Sequence, residues 1–494
     1  MSAVSSVLRN SAVLLSGTIG SKLLVLFSYA VLTRTLGPAG FGRYSLVFAW
    51  IAFFEVFTDA GLDSLTAREA ARDRESTGQR VGDALILRFL LAAITIPVAA
   101  WAFRVFTPEA TFPLAALAGL VLLTSARRAS LRSALEVPFR IDLAMGIPTL
   151  LAVLAEAVHL GLVAGPLRRL GVEGAVAAQS LSPLPFLVLL AIASHRRAAI
   201  RLRPDPARLG ALARTSLPFV AVLIVNVVLA RVDVLMLEYL RDSHEVGVYA
   251  APTRVVEVAN LLAILLMTSV FPLFAERRGE EARVERLFRE SLRVLVAVVV
   301  PVVAVQIAFA GPLVRMLFGR DWSASADVLP WLALSEVLVY ADIVITARLL
   351  ATGRERLNLG LLACAAGANV ALNLVLIPPL GARGAAIATL IAYAIRILAG
   401  FGPRAARPLT RQTLASLGPA VLAGAVAFAP TMVGGTWRAV AFAAGAVGYP
   451  ALLWILGGVR LSDFRELRDA IRPPAAPEND TPGADDVGGP GAGA

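Results

Sequence analysis

Fourteen apolar runs joined by short, arginine-bearing connections dominate this 494-residue chain. They fall near residues 11–33, 42–64, 82–103, 112–126, 141–164, 174–194, 214–236, 247–274, 292–310, 326–347, 357–378, 384–402, 413–433 and 437–457. A bilayer core of roughly 30 Å takes about 20 apolar residues per helix, and in lipid every backbone amide must find its partner inside the protein. With 57% hydrophobic residues and a mean hydropathy of +0.74, the chain has far more apolar surface than a water-soluble domain buries. It reads as an all-α integral membrane protein of about fourteen transmembrane helices.

Fourteen crossings put both ends on one side. Connections on that side, with the two ends, carry 31 arginines. The opposite connections carry 10: Arg34, Arg43, Arg104, Arg168, Arg169, Arg241, Arg315, Arg320, Arg383 and Arg438. The positive-inside rule makes the first set cytoplasmic, and with it both termini. Residues Met1 to Asn10 are short and polar with no cleavage signal after them, so the first run is expected to serve as its own insertion signal. The net charge of +11 is spread through short loops with no basic domain, which argues against a nucleic-acid partner. The segment 275–291 mixes charges at helical spacing and reads as a cytoplasmic surface helix. The tail from Pro473 is rich in Pro and Gly and is expected to be disordered.

Enzyme chemistry finds little footing. Cys364 is the single cysteine and reads as buried filler, and three histidines, His159, His195 and His244, are too few and too dispersed for a metal cluster. No loop pairs a nucleophile with a base or cradles a phosphate in glycines, so the expectation is a non-enzyme without a resident cofactor, with H+ or Na+ as the candidate coupling ion.

An internal repeat organises the spans. "GFGRYSLVFA" follows the first run and "EVGVYAAPTR" the seventh, matching Gly42 and Tyr44 to Gly247 and Tyr249. "GVEGA" (171–175) lies between the fifth and sixth spans and "GARGA" (381–385) between the eleventh and twelfth. Two matches at similar offset make spans 1–6 and 7–12 homologous halves around a central cavity, an architecture suited to alternating access. The expected lobes are 1–200 and 201–411, followed by two extra C-terminal helices at 412–460 and a cytoplasmic tail at 461–494.

"TRTLGPAGFGRYSLVFA" (33–49), "DAGLDSLTAREAA" (59–71), "RVDVLMLEYLRDSHEVGVYAAPTRVVEV" (231–258) and "NLVLIPPLGARGAAIATLIAY" (373–393) resemble, in order and spacing, the polysaccharide-transport branch of the multidrug/oligosaccharidyl-lipid/polysaccharide (MOP) exporter superfamily, which contains the Wzx-type flippases. The resemblance covers residues 5 to about 457. It implies a two-lobe bundle in the bacterial cytoplasmic (inner) membrane that moves undecaprenyl-pyrophosphate-linked oligosaccharide repeat units from the cytoplasmic to the periplasmic leaflet, for O-antigen, lipopolysaccharide or exopolysaccharide synthesis. It also implies membrane lipids, a polymerase and glycosyltransferases as partners, and a groove for the lipid tail at the two last spans. The alternatives are a cation-coupled multidrug exporter of the same superfamily and, in another class, a membrane-embedded polymerase or ligase.

A charge near the bilayer centre costs about 2.5 kcal/mol or more, so such residues face a cavity or a partner. Lys22, Arg88, Arg254 and Arg396 are the candidate cavity cations for an anionic lipid head, because cationic donors suit pyrophosphate, arginine especially. Each has a plainer reading: Lys22 as the partner of an acid on the second helix, Arg88 as a snorkelling end residue, Arg254 as the partner of Glu257, and Arg396 as half of a local pair. Glu55, Asp59, Glu257 and Asp342 are candidate coupling or counter-charges. Glu55, Asp59 and Asp63 lie four apart along one stripe of the second span, with Asp63 read as a solvated or arginine-paired end and Asp59 as part of a "DAGL" turn. Arg231 and Asp233 form a candidate gating pair, and His159 is expected to hydrogen-bond Glu156. Arg34, Gly37, Gly42 and Tyr44 read as the scaffold of the turn after the first span.

Overall fold

The computed structural model describes residues 3–107, 112–124, 130–276, 279–433, 435 and 437–459; the expected disordered tail lies outside them. Among the described residues there are helices and no strands. In chain order these are α1 (Ala3–Asp59), α2 (Leu62–Arg72), α3 (Thr77–Phe106), α4 (Phe112–Thr124), α5 (Leu131–Ile141), α6 (Gly146–Ala164), α7 (Gly171–Leu181), α8 (Leu184–Ala198), α9 (Pro206–Leu240), α10 (Ser243–Ala259), α11 (Leu261–Glu276), α12 (Glu281–Ala308), α13 (Ala310–Leu317), α14 (Ser323–Ala351), α15 (Glu355–Leu398), α16 (Arg407–Phe428) and α17 (Arg438–Ile455).

Among the described residues, ten helical stretches are long and apolar enough to cross a membrane, and the two longest, Ser16–Asp59 and Glu355–Phe401, are hairpins. In α1 the reversal is at Gly37, whose φ of 65° is left-handed and is followed by Pro38, which has no amide hydrogen to continue the ladder. The rings of Tyr29 and Phe41 then meet at 6.1 Å, whereas twelve residues of straight helix span about 18 Å. In α15 the reversal is at Gly381 (φ 55°) after Pro378 and Pro379, and Asn358 accepts a 2.9 Å hydrogen bond from Arg396, which a straight helix would hold about 57 Å away. Compared with the fourteen expected runs, the run at 112–126 supplies thirteen described helical residues, and that at 247–274 is divided at Asn260 between α10 and α11.

The repeat appears as matched backbone. Gly171 and Gly381 are both left-handed, at φ 59° and 55°. Three residues on, a Cβ on Gly174 would sit 2.1 Å from the Leu167 carbonyl oxygen, and one on Gly384 2.2 Å from that of Leu376. The first motif pair does more, because Gly42 and Gly247 pack on each other. A Cβ at Gly42 would lie 1.7 Å from the Ser243 carbonyl oxygen, and one at Gly247 1.9 Å from that of Pro38. Small residues permit this closeness between helices in lipid. Buried Phe41 fills in beside it, stacked on Tyr44 at 5.8 Å and edge-on to Trp322 at 5.8 Å. The last two helices dock on α12: Gly424 lies against Val300, and the Tyr449 hydroxyl donates to the Ala297 carbonyl at 3.2 Å.

Three sequence expectations are corrected. α1 ends at Asp59, and the left-handed Ala60 and Gly61 intervene before α2, so Asp63 leaves the stripe of Glu55 and Asp59 and pairs with Arg140 at 3.0 Å on a neighbouring element. The segment 275–291 is not a separate surface helix: α12 runs unbroken from Glu281 to Ala308, and Val284, Leu287 and Phe288 are buried from its first turns. Cys364 is exposed on α15, because its neighbours Leu362, Ala365 and Ala366 take the inward face.

Two candidate site residues prove to be packing elements of the C-terminal half. Arg396 is 2% exposed and is bonded to Asp342, to the Thr346 hydroxyl at 2.8 Å and to Asn358. Breaking such a buried pair from one side strands the other charge at a cost of about 3–5 kcal/mol. Arg396→Ala is therefore expected to lower the melting temperature of the purified protein in detergent markedly, and Arg396→Leu combined with Asp342→Ala to recover much of the loss. Equal melting of the single variant and wild type would contradict this.

Candidate functional site

A cavity of about 400 Å³ lies between the two arms of α1 and helices α6, α9, α10, α14 and α15. Its charged lining consists of four basic side chains, Lys22, Arg132, Arg231 and Arg254, and four acidic ones, Glu55, Glu156, Asp233 and Glu257, with His159 among them. The α1 hairpin explains how Lys22 and Glu55, 33 positions apart in sequence, face one void. The same fold-back brings Tyr29 and Tyr44 to it from opposite arms.

Arg254 is the most constrained of the cations. It is 5% exposed, its guanidinium lies 4.5 Å from the centre of the Tyr29 ring, and it donates to both oxygens of Glu257, at 3.1 and 2.9 Å. The i, i+3 spacing on α10 sets that pair. Arg231 on α9 donates to the same Glu257 oxygen at 3.2 Å. Two guanidinium groups thus converge on one carboxylate.

Six of the ten candidate site residues line this cavity: Lys22, Glu55, Arg231, Asp233, Arg254 and Glu257. The other four do not. Arg88 is 2% exposed and is bound to Asp59 at 2.9 Å, to the Ser133 hydroxyl at 2.5 Å and to the Ser130 carbonyl, pinning α3 to the end of α1 and the start of α5. Arg396 and Asp342 satisfy each other, as described above. The suggested Arg231–Asp233 gate is not formed: Arg231 turns to Glu257, while Asp233 accepts from the Tyr249 hydroxyl and, at 2.9 Å, from the Val234 amide. The expected His159–Glu156 bond is also absent; both ring nitrogens of His159 are buried without a hydrogen-bond partner. Arg132 is a cavity residue that the sequence placed in a loop. It is held by Glu136 at 2.6 Å and by the Pro148 carbonyl at 3.0 Å, and its run of charges (Arg132, Glu136, Arg140) at spacing four was the available signal.

The helical bundle with its charged void between helix pairs is similar in fold to known membrane transporters. Superposed on the lipid II flippase MurJ in an inward closed conformation, the chain gives a TM-score of 0.69 at 13% identity, covering 93% of this chain and 99% of that one. Against an inward-facing multidrug resistance MATE family transporter of the MOP superfamily the TM-score is 0.66 at 18% identity, over 82% and 98% of the two chains. In sequence, residues 31–327, more than half of the chain, match the model of a family described as polysaccharide biosynthesis protein, and the chain belongs to that family. It is also 25% identical over 159 residues to the Probable low-salt glycan biosynthesis flippase Agl15 of Haloferax volcanii. That match takes in 32% of this chain and 34% of Agl15, so it spans about a third of the relative's length.

Proposed function

We propose that this protein is a flippase that carries a polyprenyl-pyrophosphate-linked oligosaccharide from the cytoplasmic to the periplasmic leaflet by alternating access. The observation that carries the reading is the pair of guanidinium groups, Arg231 and Arg254, converging on a single anionic group inside a membrane-embedded void. Arginine recognises pyrophosphate oxygens through bidentate, charge-assisted bonds, and a low-dielectric wall strengthens them. Membership in a polysaccharide biosynthesis family and the likeness to a protein named a glycan biosynthesis flippase support the same reading.

In this reading the Gly42–Gly247 contact closes the periplasmic end of the void, and Arg132, on α5 beside an arginine-rich connection, lies toward its cytoplasmic end. With that connection in the cytoplasm, the cavity faces the leaflet on which the lipid-linked sugar is assembled. Both termini then lie in the cytoplasm of a bacterial inner membrane, with lobes 1–200 and 201–411 rocking about the glycine contact. Glycosyltransferases would supply the substrate and a polymerase would consume the product. Lys22 is a second cation for the head group, and Glu55 is the candidate carboxylate for H+ or Na+ coupling.

The test is reconstitution into liposomes with a fluorescent undecaprenyl-pyrophosphate oligosaccharide, in the presence and absence of H+ and Na+ gradients. Protein-dependent movement of the label between leaflets is expected, with no accelerated flux of a cationic dye such as ethidium. Dye efflux without lipid movement would assign the protein to the multidrug exporters instead.

A further inference from the structure

Glu257 stands where an anionic ligand would stand. Its Oε1 receives Arg254 at 3.1 Å and Arg231 at 3.2 Å, from two different helices, and its Oε2 receives Arg254 at 2.9 Å. That is the donor arrangement a phosphate oxygen would meet. The arginines are the fixed partners: their side chains are 6% and 22% exposed, and Arg254 is held against the Tyr29 ring. The carboxylate is the accessible one, with a side chain 36% exposed on the cavity wall.

The charge balance sharpens the point. Four basic and four acidic groups line the void, so a pyrophosphate carrying two or more negative charges meets no net attraction while every acid keeps its place. Asp233 is 4% exposed and held by Tyr249, which leaves it little room to move. Glu55 and Glu156 reach the void from α1 and α6, whereas the two converging arginines come from α9 and α10.

Building on the pyrophosphate reading of the cavity, we propose that Glu257 is a displaceable occupant of the anion site: it fills the seat between Arg231 and Arg254 until the substrate's pyrophosphate turns it out. The carboxylate prevents buried Arg254 and half-buried Arg231 from standing uncompensated between cycles. It also sets a threshold for cargo. A neutral or singly charged head offers these arginines no more than Glu257 already does, whereas a pyrophosphate brings more charge and more acceptor oxygens. When the cargo leaves, the returning carboxylate competes for the seat and promotes release.

The experiment measures binding of sugar-free undecaprenyl pyrophosphate to the full chain in nanodiscs, for wild type, Glu257→Gln and Arg254→Ala. Glu257→Gln is expected to bind at least about tenfold more tightly than wild type, the scale of one charge-assisted bond no longer competed for, and Arg254→Ala more weakly. Unchanged or weaker binding by Glu257→Gln, with Arg254→Ala still impaired, overturns the displacement and leaves the pyrophosphate site standing. Equal binding by wild type and Arg254→Ala overturns both. Glu257→Cys in a Cys364→Ser background separates charge from folding. Modification by a sulfonate methanethiosulfonate should weaken binding back toward wild type, and a trimethylammonium reagent should not; the same response to both reagents refutes the role of the charge.

Discussion

Gly42→Val is expected to abolish transport while the protein still inserts and folds. The Cβ alone would lie 1.7 Å from the Ser243 carbonyl oxygen and 2.9 Å from the Gly247 amide nitrogen, and neither is the end of a flexible side chain that could turn aside. The second arm of α1 must therefore separate from the start of α10, and the closure proposed at that contact cannot form. Gly247→Val meets the Pro38 carbonyl oxygen in the same way, so the two variants should behave alike. Gly20→Ala, with nothing within 4 Å of the added atom, should transport normally. In cells, export of polymer should be lost in both valine variants, and a cysteine at Thr253, on the cavity wall, should gain reactivity toward an impermeant thiol reagent applied from the periplasm. Wild-type export by Gly42→Val would remove the glycine contact from the mechanism.

Arg254→Ala carries the other large effect. Truncation removes three contacts together: the ring of Tyr29 at 4.5 Å, and both Glu257 oxygens. It leaves Arg231 still paired with that carboxylate. Loss of a charge-assisted pair at 1.5–3 kcal/mol predicts transport slower by about 10- to 100-fold in the liposome assay. Arg254→Lys should recover part of the rate only, since an ammonium neither forks across two oxygens nor stacks flat on tyrosine. Lys22→Ala should show a smaller deficit. If Arg254→Ala and Lys22→Ala, both at normal abundance, each export at the wild-type rate, the cationic cavity is not the substrate site.

The sequence discloses the backbone plan better than the facing of its charges. The glycines at 37, 171 and 381 are legible because a left-handed turn needs a residue without a Cβ, and the match of 42 with 247 is legible as a repeat, whereas their packing on each other is not. Lys22, Glu55 and Arg254 were found because an ionised group in an apolar run must face something polar. That rule does not separate a void from a partner. Arg88 and Arg396 satisfy it by meeting Asp59 and Asp342, and helices that are apolar all round give no stripe from which to tell the two cases apart. His159 escapes for the opposite reason. Imidazole is tolerated on an apolar face, so nothing in its neighbourhood announces a cavity wall.

The contact at Gly42 and Gly247 is main chain against main chain, which would make the proposed seal indifferent to cargo. It reads no sugar and no charge, and it asks only that two residues lack side chains. Changes in what the protein carries can therefore accumulate along Lys22, Arg132, Arg231 and Glu257 without retuning the part that shuts. Such a division separates the door from the lock, and a chain built this way can acquire new substrates while keeping its old motion.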